Sequence, residues 1–160
     1  MKQIKSKLII GQVSAIILYT VLYWATKGLN QTDWLELLLL LLGLSLGTGL
    51  VWLDEYWLVN QYSEADSQAH PLSQSLVVLL SLIPIGVFVV TSTASVLSMG
   101  FFLGLAASIV TKMVSLYQQP DVLRQQFFWQ LKTPLGDSQV QWVVNGAVIL
   151  LGFFSILFVW

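Results

Sequence analysis

The residues able to do chemistry crowd into one stretch, WLDEYWLVNQYSEADSQAHPLSQS, at 52–75. It holds Asp54, Glu55, Glu64, Asp66 and the single histidine of the chain, His70. Carboxylate oxygens and an imidazole nitrogen are donors suited to a divalent metal. Their spacing matches neither H-E-x-x-H nor an EF-hand loop. Ser63, Ser67, Ser73 and Ser75 lie near His70, but none sits in the strand-turn-helix elbow that activates a serine nucleophile. A paired-aspartate intramembrane hydrolase needs two acids at the spans, and Asp54 alone adjoins one. No catalytic residue is assigned, and the plain reading is a solvated acidic loop. With no cysteine, thiolate ligands, thiol nucleophiles and disulfides are absent. No cofactor is implied.

What must position these residues is apolar. Only 9% of the chain is charged and its mean hydropathy is +0.78. An ordinary soluble domain is about 25% charged, so lipid must cover much of this surface. The net charge of −1 gives no reason to expect nucleic acid. The expected fold is an all-α integral membrane protein: a single domain of five transmembrane helices in a bundle, plus one amphipathic interfacial helix. A crossing takes about 20 helical residues. The spans are placed at 8–26, 34–57, 74–90, 95–117 and 139–160, and the amphipathic helix at 120–132.

The central hairpin, 76–117, fixes this count. It is two crossings of apolar sequence with the run Thr91 to Ser95 as the turn, its hydroxyls satisfying backbone groups. Pro84 predicts a kink in the third span. The first span follows Lys2, Lys5 and Lys7, carries Gln12, and closes on an aromatic belt of Tyr19, Tyr23 and Trp24. A cleaved signal peptide is the weaker reading, since bulky aromatics stand where small residues belong. Asp33 is expected to cap the second span, with Glu36 in its first turn reaching interfacial water. The segment DVLRQQFFWQLK sets Val122, Leu123, Phe127 and Leu131 against Arg124, Gln125, Gln126 and Lys132, which fits a helix lying in the interface. A helix packed on the loops is the alternative. Asn145 is expected to hydrogen-bond between helices.

Small residues predict the contacts. Gly43 and Gly47 form a GxxxG on the second span, and Gly100, Gly104 and Ser108 recur every four residues on the fourth. Lipid supplies no hydrophobic drive between helices, so close backbone packing must replace it. The two smooth faces are expected to meet. Lys112 continues the second row near the headgroups, where it is expected to snorkel and to pair with Asp54 or Glu55.

Lys and Arg mark the inner side of a membrane. An inward N-terminus places six of the seven inside, leaving Lys27 outside. The N-terminus is therefore expected in the cytoplasm, the C-terminus outside, and the 54–75 and 117–139 connections inside.

The run FVVTSTASVLSMGFFLGLAASIVTKMV, followed by FFWQLKTPLGD and a last apolar helix, resembles a group of small polytopic membrane proteins of candidate-phyla bacteria (Patescibacteria, Microgenomates-like). The likeness covers the second half: a TSTxS turn, a glycine-spaced helix and an F-W-Q-x-K element. Where that group has a histidine or acid after the glycine-rich helix, this chain has Thr111 and Lys112. The resemblance implies a bacterial inner membrane and carries no substrate or catalytic residue.

Three functional classes follow. The expected one is a membrane scaffold or small subunit, alone or as a homo-oligomer, presenting its inner loops to a cytoplasmic protein partner. A small transporter or channel would line a path with Gln12, Ser108 and Asn145 at the Pro84 kink. A lipid-active or metal-assisted enzyme would use the 54–70 acids and His70.

Overall fold

The computed structural model describes residues 2–27, 34–58, 70–92 and 95–159; the side chains of 2–12, 26, 27, 58 and 159 lie outside the description. Every regular element among these residues is helical. In order they are α1 (Lys2–Lys27), α2 (Trp34–Leu53), α3 (Leu76–Ser92), α4 (Val96–Ser115), α5 (Pro120–Phe127) and α6 (Asp137–Val159). α2 runs on into a π turn, Asp54–Leu58, and a 3-10 turn, Leu72–Gln74, precedes α3.

Among the described residues, three stretches are long and apolar enough to cross a membrane: Trp34–Trp57, Val96–Ser115 and Asp137–Phe158. Val13–Ala25 and Leu76–Ser92 are apolar but shorter. The 17 residues of α3 reach about 26 Å at 1.5 Å per residue, against a hydrocarbon core of about 30 Å.

α4 is the centre of the bundle. Of its most apolar window 61% is buried, against 28% for Trp34–Trp57 and 17% for Asp137–Phe158. One face packs Leu103 and Ala107 on Leu40 and Leu44 of α2 and on Tyr19 and Tyr23 of α1. The other packs Phe102, Ile109 and Met113 among residues of α3, α5 and α6.

The closest crossing is α2 on α4, and the two run parallel. Gly43 lies against Leu97 and Phe101, and Gly47 one turn on lies against Phe101 and Leu105. A Cβ on Gly43 would stand 2.8 Å from Phe101 N, and one on Gly100 would stand 2.6 Å from Leu40 O. These are backbone atoms, which cannot swing aside. Glycine is required at this crossing because two backbones occupy the space that side chains would need.

Two local expectations change. α3 continues through Ser92 rather than stopping at 90, and Thr91 Oγ1 donates to Val87 O at 2.8 Å within that last turn. α5 ends at Phe127, short of 132. Adjacent helical residues project about 100° apart, yet Phe127 and Phe128 are both buried. The chain leaves helical geometry at Phe128 and buries both rings. Leu123 and Phe127 pack into the main core, so the apolar face of α5 lies on the bundle.

Candidate functional site

The polar side chains singled out in the sequence meet where α2 and α4 end. Parallel packing in register brings Asp54 and Glu55 level with Lys112. Lys112 Nζ donates to Glu55 Oε1 at 2.5 Å, with the lysine side chain 7% and the glutamate side chain 23% exposed. Lys112 is thus buried in an ion pair. Of its two expected partners, Glu55 is the one in contact.

Asp54 has another task. Its buried carboxylate accepts from the backbone of Ser73 at 2.6 Å and of Leu72 at 3.3 Å. These amides open the 3-10 turn, where a helical start leaves donors without partners. Pro71 before them brings no donor. Asp54 therefore acts as a cap supplied from another helix. Ser75 Oγ accepts from Val78 N at 3.2 Å and starts α3 in the same way.

Ser73 Oγ, Gln74 Nε2 and Gln126 Oε1 are buried without a hydrogen-bond partner among the described residues. The His70 ring stacks on Trp129, centroids 4.9 Å apart and 14° from parallel. That contact ties the connection before α3 to the one after α5. Arg124 holds the second connection: Nε donates to Leu135 O at 2.6 Å, Nη1 to Asp121 Oδ1 at 2.8 Å, and Nη2 to Asp137. Among the described residues no three histidine, aspartate or glutamate side chains gather as a metal would need. Glu64 and Asp66 lie outside the described residues.

Other polar groups are placed differently from expectation. Tyr19 and Tyr23 are buried rather than forming a belt; Trp24 is exposed. Tyr19 Oη and Ser155 Oγ lie 2.8 Å apart, joining α1 to α6. Tyr23 donates to Glu36, so this acid bonds a neighbouring helix and not interfacial water alone. Asn145 lies on the exposed side of α6. Gln12 and Asp33 fall on side chains outside the description. Ser108 Oγ is buried and donates to Gly104 O at 2.8 Å within its own helix.

The spaces between these helices are apolar. One cavity of about 270 Å³ lies between α3, α4 and α6, floored by Phe102, Ala106 and Val110. Another of about 230 Å³ lies where α2, α3 and α4 meet, beside Leu46, Val89 and Phe101. An apolar cavity stays dry and offers a solute no partner for its polar groups.

Arg124 and Trp129 are the residues that sequence reasoning missed. A signal existed for Arg124, since Asp121 is three residues before it, the spacing of a helical ion pair. Nothing in the sequence joins Trp129 to His70. Comparison with family models, with curated proteins and with solved structures found no match.

Proposed function

We propose that this chain is a five-span protein of a bacterial inner membrane, with its N-terminus in the cytoplasm, and that it serves as a scaffold or small subunit. Its inner face, made by the 54–75 and 117–139 connections, would dock a cytoplasmic protein. One observation carries the reading: Asp54, Glu55, Lys112 and Arg124, at the described ends of those two connections, are engaged in holding backbone and one another. Asp54 caps the turn before α3, Glu55 closes on Lys112, and Arg124 gathers Asp121, Leu135 O and Asp137. Chemistry needs polar groups free to meet a substrate, whereas a docking face needs them to fix backbone shape.

A second reading is a small transporter. Tyr23 with Glu36 lies toward one end of the bundle and Lys112 with Glu55 toward the other, with Leu40, Leu44, Leu103 and Ala107 between. Transport would require that apolar layer to open.

One pair of measurements separates these readings. A photo-crosslinking residue at exposed Gln130 should trap a discrete protein partner in native membranes, while the same residue at exposed Leu38 of α2 should not trap it. Proteoliposomes should show no ion or solute flux. Flux that depends on Leu44 would overturn the scaffold reading in favour of transport.

A further inference from the structure

One face of α6 carries an amide with nothing to bond. Val140, Val144 and Phe154 bury the opposite side of this helix in the bundle. At 100° per residue, Gln141, Asn145, Ile149, Gly152 and Ile156 fall on the outward face, and all are exposed. Ile149 is 73% exposed and neighbouring Trp142 76%, so no element among the described residues covers this face. Asn145 is the ninth residue of the candidate span Asp137–Phe158, about 12 Å from its start, which puts it within hydrocarbon when α6 crosses as we propose. Its side chain has no hydrogen-bond partner among the described residues. Lipid offers it none, and an unbonded amide in hydrocarbon is costly.

We propose that α6 packs on the α6 of a second copy, about a two-fold axis passing beside Asn145. The choice of occupant follows from the amide itself. A carboxamide carries both donor and acceptor, so it is complementary to its own image. A two-fold axis sets the same residue opposite itself, and each Asn145 then donates to the carbonyl of the other. Gly152 lies on the same face, two turns further on. A Cβ there would meet nothing within 4 Å in this chain; in the pair it is a point where two backbones can approach. Gln141 flanks the amide on the inner side and can join the same network. The inference rests on α6 crossing the bilayer and is independent of what docks on the inner face.

The cysteine-free chain suits a direct test. Single variants Gln141→Cys, Gly152→Cys and, on the bundle side, Ala147→Cys are placed in vesicles of phosphatidylcholine and phosphatidylglycerol and oxidised. Disulfide-linked dimers should form with the first two at several-fold higher yield than with Ala147→Cys. Adding Asn145→Leu should cut that yield several-fold, and Asn145→Gln should keep it. Both changes sit on an exposed helix surface and suit a helix, so the fold of each copy persists. Absent dimers, equal yield from Ala147→Cys, or yield indifferent to Asn145→Leu would overturn the pairing. A chain released from the vesicles at high pH would overturn the span and the pairing together; a retained chain without dimers overturns the pairing alone.

Discussion

An ammonium buried between helices persists because a carboxylate meets it. Removing one partner of a buried pair leaves the other charge uncompensated, at a cost of about 3–5 kcal/mol. Glu55 keeps some contact with solvent, so Lys112→Met should cost about 3 kcal/mol, the lower end of that range. Lys112→Met with Glu55→Gln should recover most of the loss, and the exchange Lys112→Glu with Glu55→Lys part of it. Unfolding monitored in detergent measures all three; a double variant no better than the single would mean that the pair is not the source of the stability. Sequence reasoning placed Lys112 on the same side as the two acids because it continues the row of Gly100, Gly104 and Ser108 to the end of its helix. It did not separate their roles. Whether Asp54 or Glu55 takes the lysine depends on the π turn, and on the amides of Leu72 and Ser73 arriving from a distant segment.

Among the elements, α2 and α4 are joined by glycines whose missing side chains make the contact. Gly43→Ala or Gly47→Ala forces a methyl onto backbone of α4 and should destabilise by roughly 1–3 kcal/mol, as overpacking does. Gly49, two residues away, faces open space. Gly49→Ala should be neutral or stabilise slightly, since glycine is about 1 kcal/mol poorer than alanine within a helix. Thermal unfolding of the three variants checks this contrast. The long spans were legible because apolar length is a local property, and the crossing because small residues at every fourth position mark one face. The end of α5 was not legible. Periodicity extended it to 132, but burying both Phe127 and Phe128 is a demand of the core and not of the helix. The pairing of Tyr23 with Glu36 was hidden for a similar reason: it joins two helices whose facing sides no local pattern declares.

For the molecule as a whole, the arrangement of Lys and Arg sets the orientation we propose. Single cysteines at Leu72, Ser95 and Gln130, each exposed, would report it through a maleimide that cannot cross the bilayer. Leu72→Cys and Gln130→Cys should label in inverted vesicles and Ser95→Cys in right-side-out ones. Labelling of Leu72→Cys and Ser95→Cys from one side would mean that α3, the shorter helix, does not cross, and would reduce the count of spans.

The parallel course of α2 and α4 also bears on how the protein is made. On the five-span topology we propose, successive helices enter in alternate directions, so α2 would meet its glycine-matched partner only after α3 had carried the chain back across. Until then Gly43 and Gly47 would have lipid for a neighbour, and the nascent chain would hold its best binding face open. α3, which adds little to that contact, restores the direction that makes it possible. A chain stopped before α4 would leave the Gly43 and Gly47 face of α2 without the backbone it packs against.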